Sequence, residues 1–325
     1  MRKRETGKSK AVNPRYTLSD KMVSLVAEIT EVATHLEMRE SAIDPLLRKK
    51  NRLKTIHSSL AIEQNTLTLK QVTDIIDGKR VFGPPKEIEE VKNAKAAYLI
   101  LEKVDPYSVD DLLKVHGLMV GGLTAQAGRF RTVGVGVYSG KKLVHAGLPH
   151  RLVPGKIKAL LSWVRNSGVH PLIASCVFHY GLEYIHPFTD GNGRMGRYWQ
   201  TALLALWRPQ MAWVPVEEII RDRQEAYYQA ISNADETGDA RMFIEFMLVA
   251  LRDALMTVKK SVGKSVGKIL ELLSEFPEIT RESLAAEVGL SVRGVEKNLA
   301  QLKSAGRIRR IGGRKGGHWE VVEGA

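Results

Sequence analysis

Apolar side chains recur at intervals of three and four residues through most of the chain, and this spacing predicts amphipathic helices. Residues that favour helix starts precede several of these runs: Ser19, Ser108, and the pair Thr68 and Gln71, which has the pattern of a capping box. The predicted helices span 22–36, 43–63, 86–104, 109–120, 156–164, 173–185, 194–207, 217–234 and 240–258. We therefore expect a mainly α fold.

One stretch in the middle of the chain departs from the helical pattern. Residues 128–154 alternate short apolar and polar positions on both sides of the turn pair Ser139-Gly140. Turn-flanked alternation of this kind predicts a β-hairpin. The prolines that follow it lead into the predicted helix over 156–164.

The chain changes character after Lys259. Residues 259–266 are rich in glycine, serine and lysine, which predicts a linker. Residues 267–325 then show three helical runs and a second hairpin with a glycine-rich basic tip, and Gly289 lies where a helix-turn-helix has its tight turn. This order predicts a small winged helix-turn-helix domain of α+β class.

Basic residues on this small domain suggest an acidic partner. The third helix is expected to present Arg293 and Lys297 outward, with Asn298 and Gln301 beside them. Candidate contacts to DNA phosphates and base edges are Arg293, Lys297, Arg310, Arg314 and Lys315. Glu296 lies on the same helix, and winged domains also recognise proteins, so both kinds of partner stay open. The net charge of +13 favours acidic partners without choosing among them.

The segment with the most chemistry is HPFTDGNGRMGR, residues 186–197. A histidine titrates near neutral pH, so His186 is a candidate general base that accepts a proton from an attacking hydroxyl. Asp190 supplies a hard carboxylate oxygen of the kind that Mg²⁺ binds together with phosphate oxygens. The segment therefore predicts a site for a phosphate ester with a metal ion.

Glycines and arginines of the same segment complete an anion site. Gly191 and Gly193 lack Cβ atoms, so the backbone can turn sharply and present N–H groups to an anion at the start of the next predicted helix. Arg194 and Arg197 are three residues apart and share a face of that helix, where guanidinium groups can bind phosphate oxygens. The pattern predicts a binding site for a nucleoside triphosphate.

The remaining composition narrows the class of protein. The chain has 325 residues, enough for a sizeable core and more than one domain. Cys176 lies in an apolar helical run, where we expect an inert packed thiol, and His170 and His179 lack ligand spacing, so we expect no zinc. Residues 1–16 form a basic polar tail without a signal or anchor pattern, and no run of about 18 apolar residues occurs. We expect no membrane span, a disordered tail and a cytoplasmic protein.

The segment 186–197 resembles the signature of the Fic family, HxFx(D/E)GNGRxxR, at every defined position. The resemblance implies a helical core that transfers AMP from ATP to a hydroxyl of a target protein with Mg²⁺. It implies that His186 is the catalytic base and that Asp190 binds Mg²⁺. Asn192 and the neighbouring amides would hold the α-phosphate, and the two arginines the β- and γ-phosphates. Phe188 would anchor the loop, and Tyr228, beside Tyr227, would lie on the adenine side.

The hairpin of residues 128–154 resembles the flap of this family. In the family the flap pairs with the backbone of the target segment and presents its hydroxyl, which is a form of strand addition. The target-binding edge of the flap would then comprise Val133, Gly134, Val135, Gly136, Val137 and Tyr138.

The segment IHSSLAIEQN, residues 56–65, resembles the inhibitory helix of the family, whose pattern is Ser/Thr-x-x-x-Glu followed by Gly or Asn. Ser59 and Glu63 occupy the defined positions. The resemblance implies that Glu63 pairs with Arg197, the partner meant for the γ-phosphate, and so blocks productive ATP binding. Gln64 stands where a small residue is expected, which leaves the strength of inhibition open.

The expected domains are a tail (1–16), a helical cap with the inhibitory helix (17–105), a catalytic core (106–258), a linker (259–266) and a winged domain (267–325). The leading hypothesis is a protein adenylyltransferase that is autoinhibited by Glu63. One alternative is a DNA-binding regulator whose Fic core senses nucleotide. Another is removal of AMP from modified protein, with Glu63 positioning a water. A homodimer, common among such proteins, stays open.

Overall fold

The computed structural model describes residues 15–38, 44–134, 136–139, 142–146, 148–313 and 316–322. This part of the chain is mainly helical, as the sequence predicts, with two small antiparallel sheets. The helices are α1 (Asp20–Met38), α2 (Pro45–Ile62), α3 (Leu69–Ile76), α4 (Pro85–Leu99), α5 (Val109–Met119), α6 (Val153–Asn166), α7 (Pro171–Ile185), α8 (Asn192–Trp207), α9 (Val216–Asp222), α10 (Gln224–Thr237), α11 (Arg241–Glu275), α12 (Arg281–Val288) and α13 (Val292–Ser304). The strands are β1 (Gly136–Ser139), β2 (Lys142–Ala146), β3 (Ile308–Ile311) and β4 (His318–Val321).

The capping residues named from the sequence begin their helices. The Ser19 hydroxyl accepts from the Met22 amide at the start of α1, and Ser108 caps α5. Thr68 and Gln71 form the complete capping box of α3. These side chains satisfy amide groups that have no partner within the helix, so the local sequence sets where each helix begins.

The centre of the larger core is the pair α7 and α8. α7 is buried over almost its whole length, and the Trp199 and Tyr198 rings of α8 are fully buried beside it. Cys176 is buried there too, and burial raises the pKa of its thiol to about 12, as expected for an inert packed thiol. α7 and α8 are joined by a loop of six residues, 186–191, which is therefore held at both ends by largely buried helices.

The expected linker is not an irregular segment. Residues 259–266 lie within α11, a single helix of 35 residues. Buried Val258 and Val262 continue the apolar face of the larger core, and Ile269 joins a second core. Each glycine in a helix costs about 1 kcal/mol relative to alanine, and packing on both cores offsets this cost at Gly263 and Gly267. Conversely, the single helix predicted over 217–234 is interrupted at Arg223, which separates α9 from α10.

The second core belongs to the winged helix-turn-helix fold that the sequence predicts. Val295, Leu299 and Leu302 of α13 pack with the end of α11, with α12 and with Ile308 of β3. Gly289 has a φ of +70° in the turn between α12 and α13, a conformation that favours glycine. One expectation is wrong: Asn298 is buried rather than facing outward, because it lies on the side of α13 near Val262 and Val266 of α11. Its side-chain amide donates to the Gly294 carbonyl at 2.8 Å.

The middle hairpin forms where it is predicted. β1 pairs antiparallel with β2, with an irregularity in register between Val137 and Tyr138. Val135 of the expected flap edge lies outside the described residues, as do Arg314 and Lys315 of the wing tip. Within the described ranges, no helix has the length and apolar character needed to cross a membrane.

Candidate active site

His186 caps the end of α7 in a left-handed conformation, with φ +50° and ψ +63°. Its amide donates to the Leu182 carbonyl at 2.8 Å, so the residue still belongs to the last turn of the helix. Few non-glycine residues adopt this conformation. The chain reverses here, and His186 lines a pocket of about 750 Å³ in front of the start of α8.

Arg131 binds the backbone of the loop 186–191, a role that the sequence did not predict. The side chain is almost fully buried, and Nε donates to the His186 carbonyl at 2.6 Å. Its two terminal nitrogens donate to the carbonyls of Val133 at 2.8 Å and Leu148 at 2.5 Å, and its own amide donates to the Pro187 carbonyl. One guanidinium therefore ties both ends of the flap to the backbone of the catalytic loop.

His116 of α5, also missed, supports the loop on the other side. Its ring stacks on Phe188, with ring centroids 3.7 Å apart. The Gly128 amide donates to Nδ1, so Nε2 carries the proton and donates to the Asp190 carbonyl at 3.0 Å. Burial lowers the pKa of His116, which keeps the ring neutral. Phe188 is fully buried and anchors the loop, as expected.

The Asn192 side chain closes the loop on itself. Its Oδ1 accepts from the Phe188 amide and its Nδ2 donates to the Phe188 carbonyl, both at 2.9 Å. The side chain is therefore occupied with backbone. Its contribution to binding a phosphate would come through the backbone N–H groups at the start of α8.

Gly191 in the loop and Gly193 in the first turn of α8 allow close approaches that any side chain would prevent. Gly191 has a φ of +87°, and a Cβ there would meet Val120 at 2.8 Å. A Cβ on Gly193 would collide with the Glu63 carboxylate and with the Arg197 guanidinium. The start of α8 is thus bare backbone that faces the pocket.

Arg194 pairs with the candidate metal ligand. Its Nη2 donates to Asp190 Oδ1 at 2.9 Å, and its Nη1 lies 3.7 Å from Glu90 Oε1. The Asp190 side chain is 44% exposed and faces the pocket. No group of three potential metal-ligating side chains occurs among the described residues. This donor set fits Mg²⁺ held by one carboxylate together with nucleotide phosphates, and it does not fit an all-protein metal cage.

Arg197 is held by the end of α2. Its Nη2 donates to Glu63 Oε1 at 2.7 Å and to the Ser59 carbonyl at 3.0 Å, and its Nε donates to the Ser59 hydroxyl at 3.1 Å. Burial alone would lower the pKa of Arg197, but the neighbouring Glu63 carboxylate raises it above its ordinary value. The structure brings together the two motifs that the sequence separates by 134 positions.

The turn after Glu63 explains the departure at Gln64. The Asn65 amide donates to the Leu60 carbonyl and the Gln64 amide to the Ala61 carbonyl, which is the Schellman pattern of a helix end. Gln64 occupies the position where this motif favours glycine, and its φ is +68°. The Asn65 side chain then fixes the turn by donating to Glu90 Oε2 at 2.8 Å. The helix therefore ends at Glu63, its C-cap residue, with Gln64 in a conformation that favours glycine.

The far wall of the pocket comes from α10 and from the last turn of α7. Tyr228 is about half exposed at this wall, whereas Tyr227 is buried and its hydroxyl lies 3.1 Å from Nε2 of His179. Burial lowers the pKa of His179 to about 3, so this ring is neutral. Burial, and then the nearby Glu63 carboxylate, raise the pKa of Glu183 to about 7.

The candidate DNA contacts of the winged domain lie far along the chain from this pocket. Arg293 is exposed and Lys297 is half-buried, both near the start of α13. The Arg310 guanidinium lies over the Trp319 ring, 4.9 Å from its centroid. These three basic side chains are thus accessible to a partner, and they do not line the pocket.

Comparisons with known proteins agree with both halves of this description. Residues 106–204 match the model of the Fic/DOC family, and residues 264–309 match that of winged helix-turn-helix DNA-binding domains. The chain is 30% identical over 240 residues to "Protein adenylyltransferase fic-1" of Caenorhabditis elegans, covering 70% of this chain and 44% of the relative. It is 31% identical over 204 residues to "Protein adenylyltransferase Fic" of Nematostella vectensis, covering 59% and 45%. The chain therefore spans about half the length of these relatives.

A solved structure covers nearly the whole chain. A Fic family protein from Desulfovibrio desulfuricans G20 is 43% identical, with a TM-score of 0.74, over 96% of this chain and 99% of that one. A solved part of Fic-1 from C. elegans shares the fold at 24% identity, with a TM-score of 0.59, over 75% and 72% of the two chains. The chain belongs to the Fic family and carries a winged helix-turn-helix domain at its C-terminal end.

Proposed function

We propose that this chain is a protein adenylyltransferase that transfers AMP from ATP to a hydroxyl of a target protein or of itself. The proposal rests on one observation. A single pocket is lined by His186, Asp190, Arg197 and the backbone at the start of α8. A base, a metal carboxylate and phosphate-binding cations are the parts that transfer of a nucleotidyl group needs. Relatives named as protein adenylyltransferases support this reaction class.

His186 acts as the general base. The hydroxyl oxygen of the target forms a bond to the α-phosphorus while the bond from that phosphorus to the bridging oxygen breaks, and pyrophosphate leaves. The hydroxyl proton passes to the imidazole of His186. Arg131 keeps the His186 backbone in its left-handed conformation, so the ring stays aimed at the pocket during this step.

The phosphates bind at the start of α8. Backbone N–H groups from Gly191 to Gly193 and the positive end of the helix dipole attract the α-phosphate. Arg194 and Arg197 bind the β- and γ-phosphates, and Tyr228 lies on the adenine side. Asp190 holds Mg²⁺, which neutralises phosphate charge when it is bound. Arg194 would then exchange its present partner, Asp190, for phosphate oxygen.

The flap presents the target. β1 pairs only with β2 in the described part of the chain, so its other edge can pair with an extended peptide. The Val133 carbonyl, at the entry to this edge, is held by Arg131, which also holds His186. Target backbone and catalytic base are therefore positioned by the same side chain.

Glu63 inhibits the reaction. Its carboxylate occupies the buried Arg197 guanidinium, so the γ-phosphate can reach this arginine only if Glu63 leaves. Glu63 is 32% exposed toward the pocket, so it can also contact a water there. Hydrolytic removal of AMP from modified protein is accordingly the second candidate activity.

The proposal extends to the location, the DNA partner and the oligomeric state of the enzyme. ATP use fits a cytoplasmic location, and the winged domain provides a surface for DNA through Arg293, Lys297 and Arg310. A homodimer is a further proposal that sedimentation of the purified chain would test.

Transfer chemistry is tested by the position of the label. Purified wild type, Glu63→Gly and His186→Ala are incubated in cell extract with Mg²⁺ and ATP labelled at the α- or the γ-phosphate. Above the label in extract without the added protein, we expect extra protein label from α-labelled ATP only, strongest with Glu63→Gly and absent with His186→Ala. Extra label from γ-labelled ATP would mean phosphoryl transfer instead. Loss of AMP from premodified protein, without new labelling, would favour the hydrolytic activity.

A further inference from the structure

One carboxylate at the junction of the two cores joins the starts of two helices. Asp44 precedes α2, and its Oδ1 accepts from the Leu46 amide at 2.7 Å. The same side chain accepts from Ser291, the residue before α13: from its amide at 2.7 Å through Oδ2, and from its hydroxyl at 3.0 Å through Oδ1. Asp44 is only 2% exposed. Asp44 therefore caps the inhibitory helix and also holds Ser291, the N-cap residue of the third helix of the winged domain.

Gly294 makes this close approach fit. It lies in the first turn of α13, where its φ is not positive and where alanine favours the helix more than glycine does. A Cβ at this position would meet Asp44 Oδ2 at 2.6 Å. By contrast, Cβ atoms at Gly263 and Gly267 of α11 would meet open space. The contact with Asp44 gives Gly294 a physical reason to lack a side chain.

The opposite end of α2 carries Glu63. An α-helix rises about 1.5 Å per residue, so the 18 residues of α2 put its two ends about 27 Å apart. Arg52 donates to the Tyr98 carbonyl at 2.7 Å, and Lys54 pairs with Glu218, so the body of the helix is fixed along its length. Because a helix moves as a rigid segment, a shift at Asp44 that loosens these contacts also moves the Glu63 carboxylate on Arg197.

We propose that the winged domain holds the inhibitory helix in place through Asp44, and that duplex DNA releases it by binding the start of α13. The release of catalysis rests on the proposed function above. In helix-turn-helix proteins the first residues of the recognition helix enter the major groove. Here Ser291 and Gly294 are covered by Asp44, while Arg293 between them is exposed.

DNA and Asp44 compete for this helix end because both are anionic. The carboxylate repels phosphate and occupies the donors of Ser291, so DNA binding requires Asp44 to leave. Binding free energies are reciprocal: if DNA weakens the Asp44 contact, loss of that contact strengthens DNA binding. The contact between the starts of α2 and α13 then couples DNA binding to the rate of adenylylation.

Two variants break the contact from opposite sides. Asp44→Asn removes the charge and keeps a residue that can cap α2. Gly294→Ala places a Cβ against Asp44 and leaves all basic residues unchanged. Gly263→Ala is the matched control, since it makes the same substitution in a helix with open space around it. Thermal unfolding of each full-length variant shows that both cores remain folded.

The test measures binding of a random-sequence duplex at low salt and self-labelling from α-labelled ATP. We expect Asp44→Asn and Gly294→Ala to bind the duplex at least about five-fold more tightly and to label at least about five-fold more, the lower end of ordinary coupling between sites. Added duplex should raise wild-type labelling, and Gly294→Ala should add nothing in a Glu63→Gly background. Duplex affinities equal to those of Gly263→Ala would overturn the proposal. If Glu63→Gly shows no label at all, the proposed function fails, and the duplex affinities still test the Asp44 contact.

Discussion

Arg197 Nη2 donates to Glu63 Oε1 at 2.7 Å, in a place where the arginine is almost fully buried and the glutamate is not. This difference in burial has a consequence. The buried arginine needs an anionic partner whether or not nucleotide is bound, whereas the exposed glutamate can be solvated by water instead. Removal of one partner from a buried ion pair leaves an uncompensated charge. We therefore expect Arg197 to exchange Glu63 for a phosphate when ATP binds productively.

Gln64→Gly should strengthen inhibition. Gln64 is held at a φ of +68°, a conformation that costs a residue with a Cβ about 1 kcal/mol more than glycine. Relief of this strain stabilises the helix end that carries Glu63. Self-labelling by the variant should fall several-fold below wild type, and its free energy of unfolding should rise by about 1 kcal/mol. Gln64→Ala keeps the Cβ and is the control; equal labelling by the Gly and Ala variants would contradict the account.

Arg131→Lys should impair catalysis without abolishing nucleotide binding. Arg131 acts through His186, whose carbonyl it holds, and a lysine cannot reach the His186, Val133 and Leu148 carbonyls together. In a Glu63→Gly background, a displacement of the base of about 1 Å should lower kcat about 100-fold and change KM for ATP little. Steady-state labelling kinetics separate the two constants. A rise in KM alone would assign Arg131 to nucleotide binding instead.

Burial of Glu217 should make stability depend on pH. Burial raises the pKa of Glu217 to about 7, and its Oε2 has no hydrogen-bond partner among the described residues. A carboxyl whose pKa is raised on folding contributes stability that is fully present below its unfolded pKa, near 4.5, and is lost as pH rises through 7. Glu217→Gln should therefore gain stability relative to wild type as pH rises, by about 2.5 kcal/mol between pH 5 and pH 8.

Urea unfolding at pH 5, 6, 7 and 8 measures this difference. The neighbouring Glu218→Gln is the control, because Glu218 is only partly buried and pairs with Lys54 at 3.1 Å. A pH-independent difference between Glu217→Gln and wild type would show that Glu217 is already ionised in the folded protein.

The fold and the chemistry of the site were predictable where the signal is local. Capping by Ser108 depends on residues within one turn, and the segment 186–197 contains its base, carboxylate and arginines in twelve positions. The pairing of Glu63 with Arg197 was predictable only through the family resemblance, since nothing in the spacing of the two residues brings them together.

Other features depend on contacts that no local pattern records. Arg131 looks like one basic residue in a polar strand segment, and its role appears only when the carbonyls of His186 and Leu148 surround it. Residues 259–266 have the composition of a linker, yet burial of Val262 on one core and Ile269 on another keeps them helical. The contact of Asp44 with Ser291 joins residues 247 positions apart, so no local pattern records it.

The most direct test of the central claim is the intact mass of the purified chain after incubation with Mg²⁺ and ATP alone. The account predicts that Glu63→Gly gains the mass of one or more AMP groups, that wild type gains far less, and that the double variant Glu63→Gly/His186→Ala gains none. Equal modification of wild type and Glu63→Gly would contradict inhibition by Glu63. AMP addition that persists in the double variant would contradict the assignment of His186 as the base.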